Sequence, residues 1–550
     1  MSATTYLNNG LDLARKGNLQ QAAASFHQAI AQNPNYGEAY NNLGVIQTRM
    51  KRLSEAVHSF HQAIRLNPDN AAAYNNLGIV QSEAGDLDAA VHSFRQATCL
   101  KPDHPPFFNN LGIVLDKAAL LEEAAAAFRR AIALSPDYPE ALNNLGTVLR
   151  KSHLLPEAED CLRKALVLRP NYAKAYNNLG LVLKTSFLLE DAIACLRRAQ
   201  ELEPSNPEIL NNLGVALKES RRLAEAESCL HQAIKLRPDF ADAHFSLAVL
   251  YLLQEEYEKG WDQYDDLRLV KAGDWRPPAP RWRGEDLAGR RILLYADQGF
   301  GDTIHFARYA PMVAAMATET FLWVQQPLER LLAISQPNYR QVNDKTVAVN
   351  HYDYCCPLPS LPQVFKTDKE SIPGIIPYLQ PSHEKVAAWE KKLATLDGGG
   401  RYRVGVVWAG NPAHNNDRNR SIPFDTFARL LNLSGISWVS LQVGERAADL
   451  AKAPAPIIDL SADLTDFAET AGVVANLDLV ISVDSAVAHL AGALGRQIWL
   501  LVPHNPDWRW QLDRADSPWY PSMRLFRQQK PGNWAEVLAK IAAALPQLLR

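Results

Sequence analysis

Three short segments in the second half of this 550-residue chain combine turn-forming and ionisable residues in an order that could support chemistry. The first is Gly299-Phe-Gly-Asp-Thr-Ile-His305, whose two glycines allow a tight turn from a strand into a helix. Asp302 then lies at the helix start, where it serves either as an ordinary N-cap or as a general base directed into a cleft. Asp302 and His305 are therefore the candidate catalytic residues.

The second segment, Val483-Asp-Ser-Ala-Val-Ala-His-Leu490, passes from an apolar run into a helix. The first N–H groups of such a helix have no partner within it and form a ready anion site. These groups belong to Ser485, Ala486 and Val487. Asp484 either accepts hydrogen bonds from ribose hydroxyls or caps the helix, and His489, about one turn further on, either faces the ligand or packs.

The third segment, Asn415-Asn-Asp-Arg-Asn-Arg-Ser-Ile-Pro423, places two arginines ahead of a proline that suits a helix start. The guanidinium groups of Arg418 and Arg420 would suit a diphosphate, because guanidinium binds phosphate oxygens in a bidentate manner. The alternative interpretation is a solvated, charged loop.

Alternating strand and helix patterns surround these segments and must position them. Short apolar runs predict buried parallel strands, with helices between them. The predicted strands are 290–296, 320–324, 403–408, 436–441, 478–483 and 497–502. One predicted helix follows the first strand and ends at about residue 316, and the others span 423–432, 464–475, 486–494 and 534–549. Two such α/β units, joined at Asp397-Gly-Gly-Gly400, predict two Rossmann-like domains that face a cleft.

The first half of the chain repeats with a period of 34 residues. Prolines recur from Pro34 to Pro238, glycines from Gly10 to Gly214 and alanines from Ala29 to Ala233 at this step. The period resembles the tetratricopeptide repeat, in which two amphipathic helices form a unit that stacks on its neighbours. The pattern predicts a solenoid with small residues where helices approach and large ones, such as Phe60 and Phe94, between them.

One column of the repeat is not explained by packing, because asparagine is a mediocre helix former. Its members in the predicted acceptor site are Asn42, Asn76, Asn110, Asn144, Asn178 and Asn212. A ladder of amide donors and acceptors would hold a peptide backbone without reading its sequence, as in the repeats of O-GlcNAc transferases, which the run Asn-Asn-Leu-Gly resembles. Alternatively, these asparagines bond one another or neighbouring helix backbones.

Composition limits the classes of function. Lys and Arg number 57 against 60 Asp and Glu, so the net charge of -3 argues against a broad nucleic-acid-binding face. The six cysteines include only one adjacent pair, Cys355 and Cys356, and no metal-type spacing. The N-terminus has no signal-peptide pattern, and no apolar run reaches the roughly 18 residues of a membrane span.

Over about residues 285–545, the three segments and the loop Trp408-Ala-Gly-Asn-Pro412 together resemble the ADP-heptose:lipopolysaccharide heptosyltransferases. The resemblance implies an inverting, metal-independent glycosyltransferase of the GT-B fold with Asp302 as general base. Arg420 stands where that family has lysine, which keeps the charge but changes the phosphate geometry. The candidate donor-binding residues are Gly301, Asn411, Arg418, Arg420, Asp484, Ser485, Ala486, Val487 and His489.

The two halves together resemble the O-GlcNAc transferases and the repeat-bearing flagellin glycosyltransferases of bacteria. This implies a cytoplasmic enzyme in which the solenoid captures a flagellin-like protein, whose Ser or Thr receives sugar from a nucleotide-sugar co-substrate without a metal or cofactor. Two alternatives stay open: transfer to lipopolysaccharide or another glycan, and a non-catalytic repeat scaffold with a silent transferase domain. An aromatic tail, Pro503–Trp510 and Ser517–Tyr520, either stacks on a base or sugar or wedges the two domains together.

The predicted fold class is an α-solenoid of tetratricopeptide repeats followed by an α/β GT-B fold of two Rossmann-like domains. Seven full repeats and a degenerate one occupy residues 1–270, and a linker or docking segment follows at 271–289. The N-terminal Rossmann-like domain is expected at 290–398. The nucleotide-sugar-binding domain, with a final helix, is expected at 399–550.

Overall fold

The computed structural model describes residues 1–265, 277, 279–335, 339–343, 351–398, 402–414 and 416–549. The chain divides into two compact units, Met1–Ser220 and Arg221–Arg550. Some predicted features lie outside the described residues: the predicted solenoid after residue 265, Trp275 with residues 271–276 and 278 of the linker, the glycines at 399 and 400, and Asn415.

The first unit consists of helices that follow one another in pairs, as the 34-residue period predicts. They are α1 (Ala3–Arg15), α2 (Leu19–Gln32), α3 (Gly37–Arg49), α4 (Leu53–Leu66), α5 (Ala71–Glu83), α6 (Leu87–Leu100), α7 (Pro105–Lys117), α8 (Leu121–Leu134), α9 (Pro139–Lys151), α10 (Leu155–Leu168), α11 (Ala173–Thr185), α12 (Leu189–Leu202) and α13 (Pro207–Glu219). The second helix of each complete pair stops shortly before the recurring proline, which cannot continue a helix interior. The predicted repeat solenoid is confirmed.

Recurring small residues let the paired helices touch. A Cβ atom at Gly112 of α7 would lie 2.6 Å from the ring of Phe128 on α8. In a later pair, a Cβ at Gly146 of α9 would lie 2.6 Å from Cγ of Leu162 on α10. Glycine at this column therefore makes room for one large buried side chain per repeat, which fills the space between the helices.

The early repeats bury a polar pair where the later repeats bury apolar residues. The hydroxyl of Ser59 donates to Oε1 of Gln47 over 2.7 Å, and both side chains are buried. Two repeats further on, the same two columns hold the buried residues Leu115 and Ala127. The repeat therefore tolerates either a satisfied polar pair or an apolar pair at this position.

Replacing Ser59 with Ala should lower the free energy of unfolding of the first unit by about 1–2 kcal/mol, because a buried amide oxygen loses its donor. Chemical denaturation followed by far-UV circular dichroism measures the change. The double variant Gln47→Leu with Ser59→Ala reproduces the combination of the later repeats and should recover most of the loss. A double variant as unstable as the single one would show that the hydrogen bond is not responsible.

The second unit begins with three helices, α14 (Leu223–Leu236), α15 (Ala241–Leu253) and α16 (Tyr257–Asp265). The last two hold the degenerate repeat and pack on the α/β part of the same unit. Nε1 of Trp261 donates to the carbonyl of Thr367 over 2.8 Å, and Nε2 of Gln511 donates to the hydroxyl of Tyr257 over 3.0 Å. Tyr257 and Trp261 of this repeat therefore pack against the α/β part of the unit, while Tyr251 packs against α14 of the preceding repeat.

Two parallel sheets form the rest of the second unit. The strands are β1 (Arg291–Tyr295), β2 (Glu319–Trp323), β3 (Tyr339–Val342), β4 (Tyr354–Pro357), β5 (Tyr402–Val407), β6 (Ile436–Ser440), β7 (Ile458–Asp459), β8 (Leu479–Val483), β9 (Ile498–Val502) and β10 (Met523–Arg527). Their order is β3-β2-β1-β4 in the first sheet and β10-β9-β8-β5-β6-β7 in the second. Every described strand pair is parallel, which confirms the predicted α/β fold with two Rossmann-like domains.

Helices follow most of these strands. They are α17 (Phe300–Phe306), α18 (Ala310–Ala314), α19 (Gln326–Ser335), α20 (Leu361–Val364), α21 (His383–Asp397), α22 (Asp417–Arg420), α23 (Phe424–Phe427), α24 (Phe467–Val474), α25 (Ala486–Ala493) and α26 (Trp534–Leu548). The predicted helix at 423–432 is α-helical only in α23 and continues as a 3-10 helix over Ala428–Asn432.

The strands that the sequence pattern missed are the four at the sheet edges, β3, β4, β7 and β10. Central strands are covered on both sides and therefore read as continuous apolar runs, which is the pattern used for prediction. The edge strand β3 contains an exposed Arg340, and β7 has only two residues. A short or partly polar edge strand leaves no comparable signal in the sequence.

Candidate active site

Two strand-to-helix turns meet in the second unit. Helix α17 follows β1 and carries Asp302, while helix α25 follows β8 and carries His489. The helices approach at Gly301, where a Cβ atom would lie 2.9 Å from Cδ2 of His489. Glycine is needed for this close approach. The carboxyl ends of two different parallel sheets are thereby brought together, which is where ligands bind in such folds.

Asp302 lies in the first turn of α17 and faces a guanidinium group from the other sheet's domain. Its Oδ1 accepts a hydrogen bond of 2.6 Å from Nη2 of Arg509. Gly299 is the N-cap of α17, so the interpretation of Asp302 as an ordinary N-cap is wrong. The Asp302 side chain is 30% exposed, which leaves part of the carboxylate open to a ligand.

The start of α25 presents unpaired backbone donors. Ser485 is the N-cap, and its Oγ accepts a hydrogen bond of 3.4 Å from the N–H of Ala488. In the described part of the chain, the N–H groups of Ala486 and Val487 have no hydrogen-bond acceptor. Since the helix dipole also favours negative charge at this end, the turn suits an anion such as a phosphate.

Asp484 stands directly before this helix start. Because Ser485 is the N-cap, the interpretation of Asp484 as the helix cap is wrong. Burial raises the pKa of Asp484 to about 6; the nearby carboxylate of Asp507 adds to the increase, and Arg420 opposes it. A carboxyl group with such a pKa beside an anion site is typical of a functional position.

Two predicted site histidines are buried behind the cleft and share one hydroxyl group. Nδ1 of His489 lies 2.9 Å from the hydroxyl of Tyr520, and Nδ1 of His305 lies 3.1 Å from the same oxygen. Burial, together with nearby arginines including Arg308 and Arg509, lowers the pKa of both histidines well below the ordinary value. Both rings are therefore neutral at pH 7, and the 3.9 Å approach of His489 to Asp484 is not a charged pair.

His305 is fully buried, so its place is behind Asp302 rather than on the cleft surface. Among the residues that the structure describes, its Nε2 has no hydrogen-bond partner. This position suits a residue that supports α17, and the predicted catalytic role of His305 stays a prediction.

The loop before α23 brings one of its two arginines into the cleft region. The Arg420 side chain is 16% exposed, its Nε lies 3.7 Å from Oδ1 of Asp417, and it lies against Gly410. Partial burial and then Arg420 lower the pKa of His414 in this loop, while Asp302 across the cleft opposes that shift. Arg420 is thus not part of a solvated loop, and the loop reaches the neighbourhood of Asp302.

The other two predicted residues of this loop lie at its surface. Arg418 is exposed, and so is Asn411, whose Oδ1 accepts a hydrogen bond of 3.0 Å from the N–H of Ala413. The Asn411 side chain therefore stabilises its own turn. Their donor-binding roles stay predictions.

The aromatic tail packs between elements and is not open for stacking. Its large rings are buried: Trp508, Trp510, Trp519 and Tyr520. The ring centroids of Trp508 and Trp261 are 5.3 Å apart in an edge-on arrangement, and Nη1 of the buried Arg308 donates to the Trp519 carbonyl over 2.9 Å. The structure thus favours the wedge interpretation over stacking on a base or sugar.

Sequence reasoning did not single out Arg509, Asp507 or Tyr520 as members of the site. Arg509 contacts both Asp302 and Asp507, and Tyr520 joins the two histidines. The available signal was the arginine within the Asp507-Trp-Arg-Trp510 run, since an arginine among buried aromatics needs a charged partner.

In the first unit, the asparagine column ties neighbouring repeats together. Five column residues, Asn76 to Asn212, each donate through Nδ2 to Oδ1 of the first asparagine of the Asn-Asn pair in the preceding repeat. Asn42 has no such partner, because Leu7 occupies that position in the repeat before it. The pairs are Asn76 to Asn41 (3.2 Å), Asn110 to Asn75 (2.9 Å), Asn144 to Asn109 (3.0 Å), Asn178 to Asn143 (2.8 Å) and Asn212 to Asn177 (2.9 Å). The alternative in which these asparagines bond one another is therefore present in the structure.

The bonds between repeats leave some amide donors and acceptors of the asparagine column without a partner in the first unit. An asparagine amide has two N–H donors and a carbonyl acceptor, and the bond between repeats uses one donor. Within residues 1–220, the Oδ1 atoms of Asn76, Asn110 and Asn212 accept no hydrogen bond. Asn110 and Asn144 are half-buried, whereas their partners Asn75 and Asn109 are buried, so in these two pairs the column side is the one a peptide can reach.

The described residues contain neither a candidate metal site nor a membrane-spanning helix. No group of three or more His, Cys, Asp or Glu side chains is arranged there to hold a metal ion. None of the helices in that part of the chain has the length and apolar character required to cross a bilayer.

Comparison with known families matches both halves of the chain. Tetratricopeptide-repeat models match residues 37–70, 60–92, 121–152, 140–169, 189–220 and 216–272. The model described as glycosyltransferase family 9 (heptosyltransferase) matches residues 441–530. That stretch includes the Asp484 turn and Arg509, but neither Asp302 nor Arg420.

Individual proteins and solved structures that resemble this chain are 29% identical to it or less. Protein FlbA of Caulobacter vibrioides is 29% identical over 336 residues, covering 56% of this chain and 55% of FlbA. The chain thus spans about half the length of the curated relative it matches. Among solved structures, YrrB, described as a TPR protein with an unusual peptide-binding site, is 25% identical with a TM-score of 0.30, covering 33% of this chain and 94% of YrrB. A repeat protein from Parabacteroides merdae is 16% identical with a TM-score of 0.39, covering 45% and 98%.

Proposed function

For a chain that carries tetratricopeptide repeats and a heptosyltransferase-like domain, we propose a cytoplasmic, inverting, metal-independent glycosyltransferase that moves sugar from a nucleotide sugar to a protein hydroxyl. The observation that carries the proposal is the position of Asp302. Its partly exposed carboxylate lies in the first turn of α17, which approaches the anion-binding start of α25 at Gly301. A base on one side and a phosphate site on the other is the arrangement that displacement at an anomeric carbon requires.

In the proposed reaction, Asp302 takes the proton of an acceptor hydroxyl as its oxygen bonds to the anomeric carbon of the donor. The bond between that carbon and the donor phosphate oxygen breaks on the opposite face, so the configuration inverts. The electron pair of the broken bond leaves with the nucleotide. The N–H groups of Ala486 and Val487 and the guanidinium of Arg420 neutralise the charge that develops there.

We propose that the acceptor is a polypeptide, because the asparagine column offers unused amide groups in successive repeats. Such groups pair with a peptide backbone whatever its side chains are. A Ser or Thr hydroxyl of a flagellin-like protein is the acceptor that the resemblance to repeat-bearing flagellin glycosyltransferases implies. A glycan acceptor is the second candidate, and the match to the heptosyltransferase model favours it.

Intact-mass spectrometry tests the proposal with the full chain. Purified flagellin and a lipooligosaccharide are each incubated with ADP-heptose, a CMP-nonulosonic acid or UDP-GlcNAc. A mass increase equal to one sugar on the protein supports protein glycosylation, and an increase on the lipooligosaccharide supports the glycan alternative. If neither acceptor gains mass and no donor is consumed, the result favours the alternative of a non-catalytic repeat scaffold with a silent transferase domain.

The asparagine column provides a matched test of acceptor binding. Replacing Asn76, Asn110 and Asn144 with Ala should weaken binding of the acceptor protein to this chain by at least about 30-fold, at about 1 kcal/mol per lost hydrogen bond. Fluorescence anisotropy with a labelled acceptor peptide measures the affinity.

The control replaces the partner asparagines Asn41, Asn75 and Asn109 with Ala. It removes the same bonds between repeats but keeps the half-exposed amides of the column. Binding is expected to weaken much less in this control. Equal losses in the two triple variants would mean that the column only stabilises the solenoid.

A further inference from the structure

Arg509 joins the two sheet domains of the second unit through the proposed base. It lies in a 3-10 turn, Trp508–Trp510, after β9 of the second sheet, whereas Asp302 belongs to α17 after β1 of the first sheet. We propose that Arg509 is a positioning residue that holds the Asp302 carboxylate toward the acceptor hydroxyl, an inference that rests on the proposed function.

The first step of the argument is how the guanidinium group divides its donors. Nη2 donates to Oδ1 of Asp302 over 2.6 Å, and Nη1 donates to Oδ1 of Asp507 over 2.9 Å. The same Asp507 oxygen accepts the backbone N–H of Arg509 over 3.0 Å. Asp507 therefore fixes Arg509 from behind, and Arg509 in turn fixes one oxygen of Asp302.

The second step is that Arg509 has little freedom to turn elsewhere. Its side chain is only 5% exposed. Its Cζ lies 4.4 Å from the ring centroid of Trp508 and 5.3 Å from that of Phe306. Two aromatic faces and two carboxylates leave the planar guanidinium one orientation, as expected of a group that supports a reacting side chain.

The third step concerns charge. Burial opposes the charged form of Arg509, but the carboxylates of Asp507 and Asp302 outweigh it, so the pKa of Arg509 lies above its ordinary value. The guanidinium is therefore a permanent cation beside the proposed base. Lysine cannot replace it fully, because an ammonium group lacks the planar fork that reaches two carboxylates at once.

The experiment compares Arg509→Gln, Arg509→Ala and Arg509→Lys with the wild type, using the full chain and ADP-heptose, a CMP-nonulosonic acid and UDP-GlcNAc as donors. We expect Arg509→Gln to lower kcat by about 10- to 100-fold with less than about a threefold change in KM for the donor, because the base is misplaced while the donor site is intact. The kcat of Arg509→Lys should lie between that of Arg509→Gln and that of the wild type.

Guanidinium chloride at low millimolar concentration is expected to restore part of kcat to Arg509→Ala and nothing to Asp302→Asn. Arg514→Gln is the matched control: Arg514 lies five residues after Arg509, pairs with Asp516 over 2.8 Å, and its replacement should leave the rate unchanged. Thermal unfolding measures whether each variant is folded. If Arg509→Gln does not fold, Arg509→Lys decides the question by itself, because a wild-type kcat in Arg509→Lys overturns the inference.

The outcomes separate this inference from the function on which it rests. A wild type that consumes none of the donors removes the proposed function and this inference with it. An active wild type that loses activity in Asp302→Asn but keeps kcat in Arg509→Gln overturns only the role of Arg509. A raised KM with unchanged kcat would make Arg509 a donor-binding residue and also overturn the inference.

Discussion

Replacing Asp302 with Asn is expected to lower kcat/KM for sugar transfer by about 10²- to 10⁴-fold, because an amide cannot take the proton of the acceptor hydroxyl. The amide oxygen of Asn can still accept the hydrogen bond from Arg509, so the contact between the two domains should persist and the melting temperature should change little. Initial rates of nucleotide release with the active donor measure the effect.

Asp239→Asn is the matched control, because it makes the same chemical change at an exposed carboxylate of the second unit. It should leave the rate and the stability unchanged. Full activity in Asp302→Asn would show that the base is another residue. Loss of activity accompanied by a large fall in melting temperature would show that Asp302 is needed for folding.

The second large effect is expected in stability. Replacing Asp484 with Asn should raise the free energy of unfolding of the second unit at pH 7 by about 3 kcal/mol. Burial and then Asp507 raise the pKa of Asp484 to about 6 in the folded chain, compared with 3.8 for an ordinary Asp. Keeping this group ionised therefore costs stability at neutral pH, a cost that Asn does not carry.

The sign of the pH dependence follows from that difference. Below about pH 4 the carboxyl is protonated in both states and contributes nothing. As the pH rises from about 4 to 6, the unfolded chain releases this proton first, so the wild type loses stability relative to Asp484→Asn. The advantage of the variant should be complete above pH 6 and should vanish near pH 4.

Tryptophan fluorescence during urea unfolding measures this prediction for the second unit alone, because all 12 tryptophans lie in residues 221–550. Asp425→Asn, at an exposed carboxylate, is measured in parallel as the control for the pH dependence of the wild type. An Asp484→Asn variant that is less stable than the wild type at pH 7 would contradict the prediction. A carboxylate retained at such a cost is expected where function requires it.

Local pattern predicted most of the fold. The 34-residue step between equivalent residues reports a packing unit that recurs, so helix pairs and the role of residues such as Gly112 and Phe128 can be read without coordinates. Continuous apolar runs identified the central strands of both sheets, because a strand that is buried on both faces needs apolar residues at successive positions. The edge strands escaped, because a strand with one solvent-facing side and few residues lacks that pattern.

The turn residues of the candidate site were also visible in the sequence. A strand, a turn and a helix start occur consecutively in the chain, which placed Asp302 and Asp484 at two helix starts. The chemistry of those positions, an acceptor of protons and an anion site, follows from residue type and helix geometry.

What the sequence by itself determined is therefore what local order encodes: the repeat unit, the central strands and the ionisable residues near the starts of α17 and α25. The tertiary structure alone decided which partners those residues have. Arg509 and Asp302 are 207 positions apart, and their ion pair exists because the two sheets of the second unit pack together. Likewise, the ladder asparagines from Asn76 to Asn212 bond a residue 35 positions earlier, not the equivalent one 34 positions earlier. No periodicity states such contacts, since they arise from how whole elements pack.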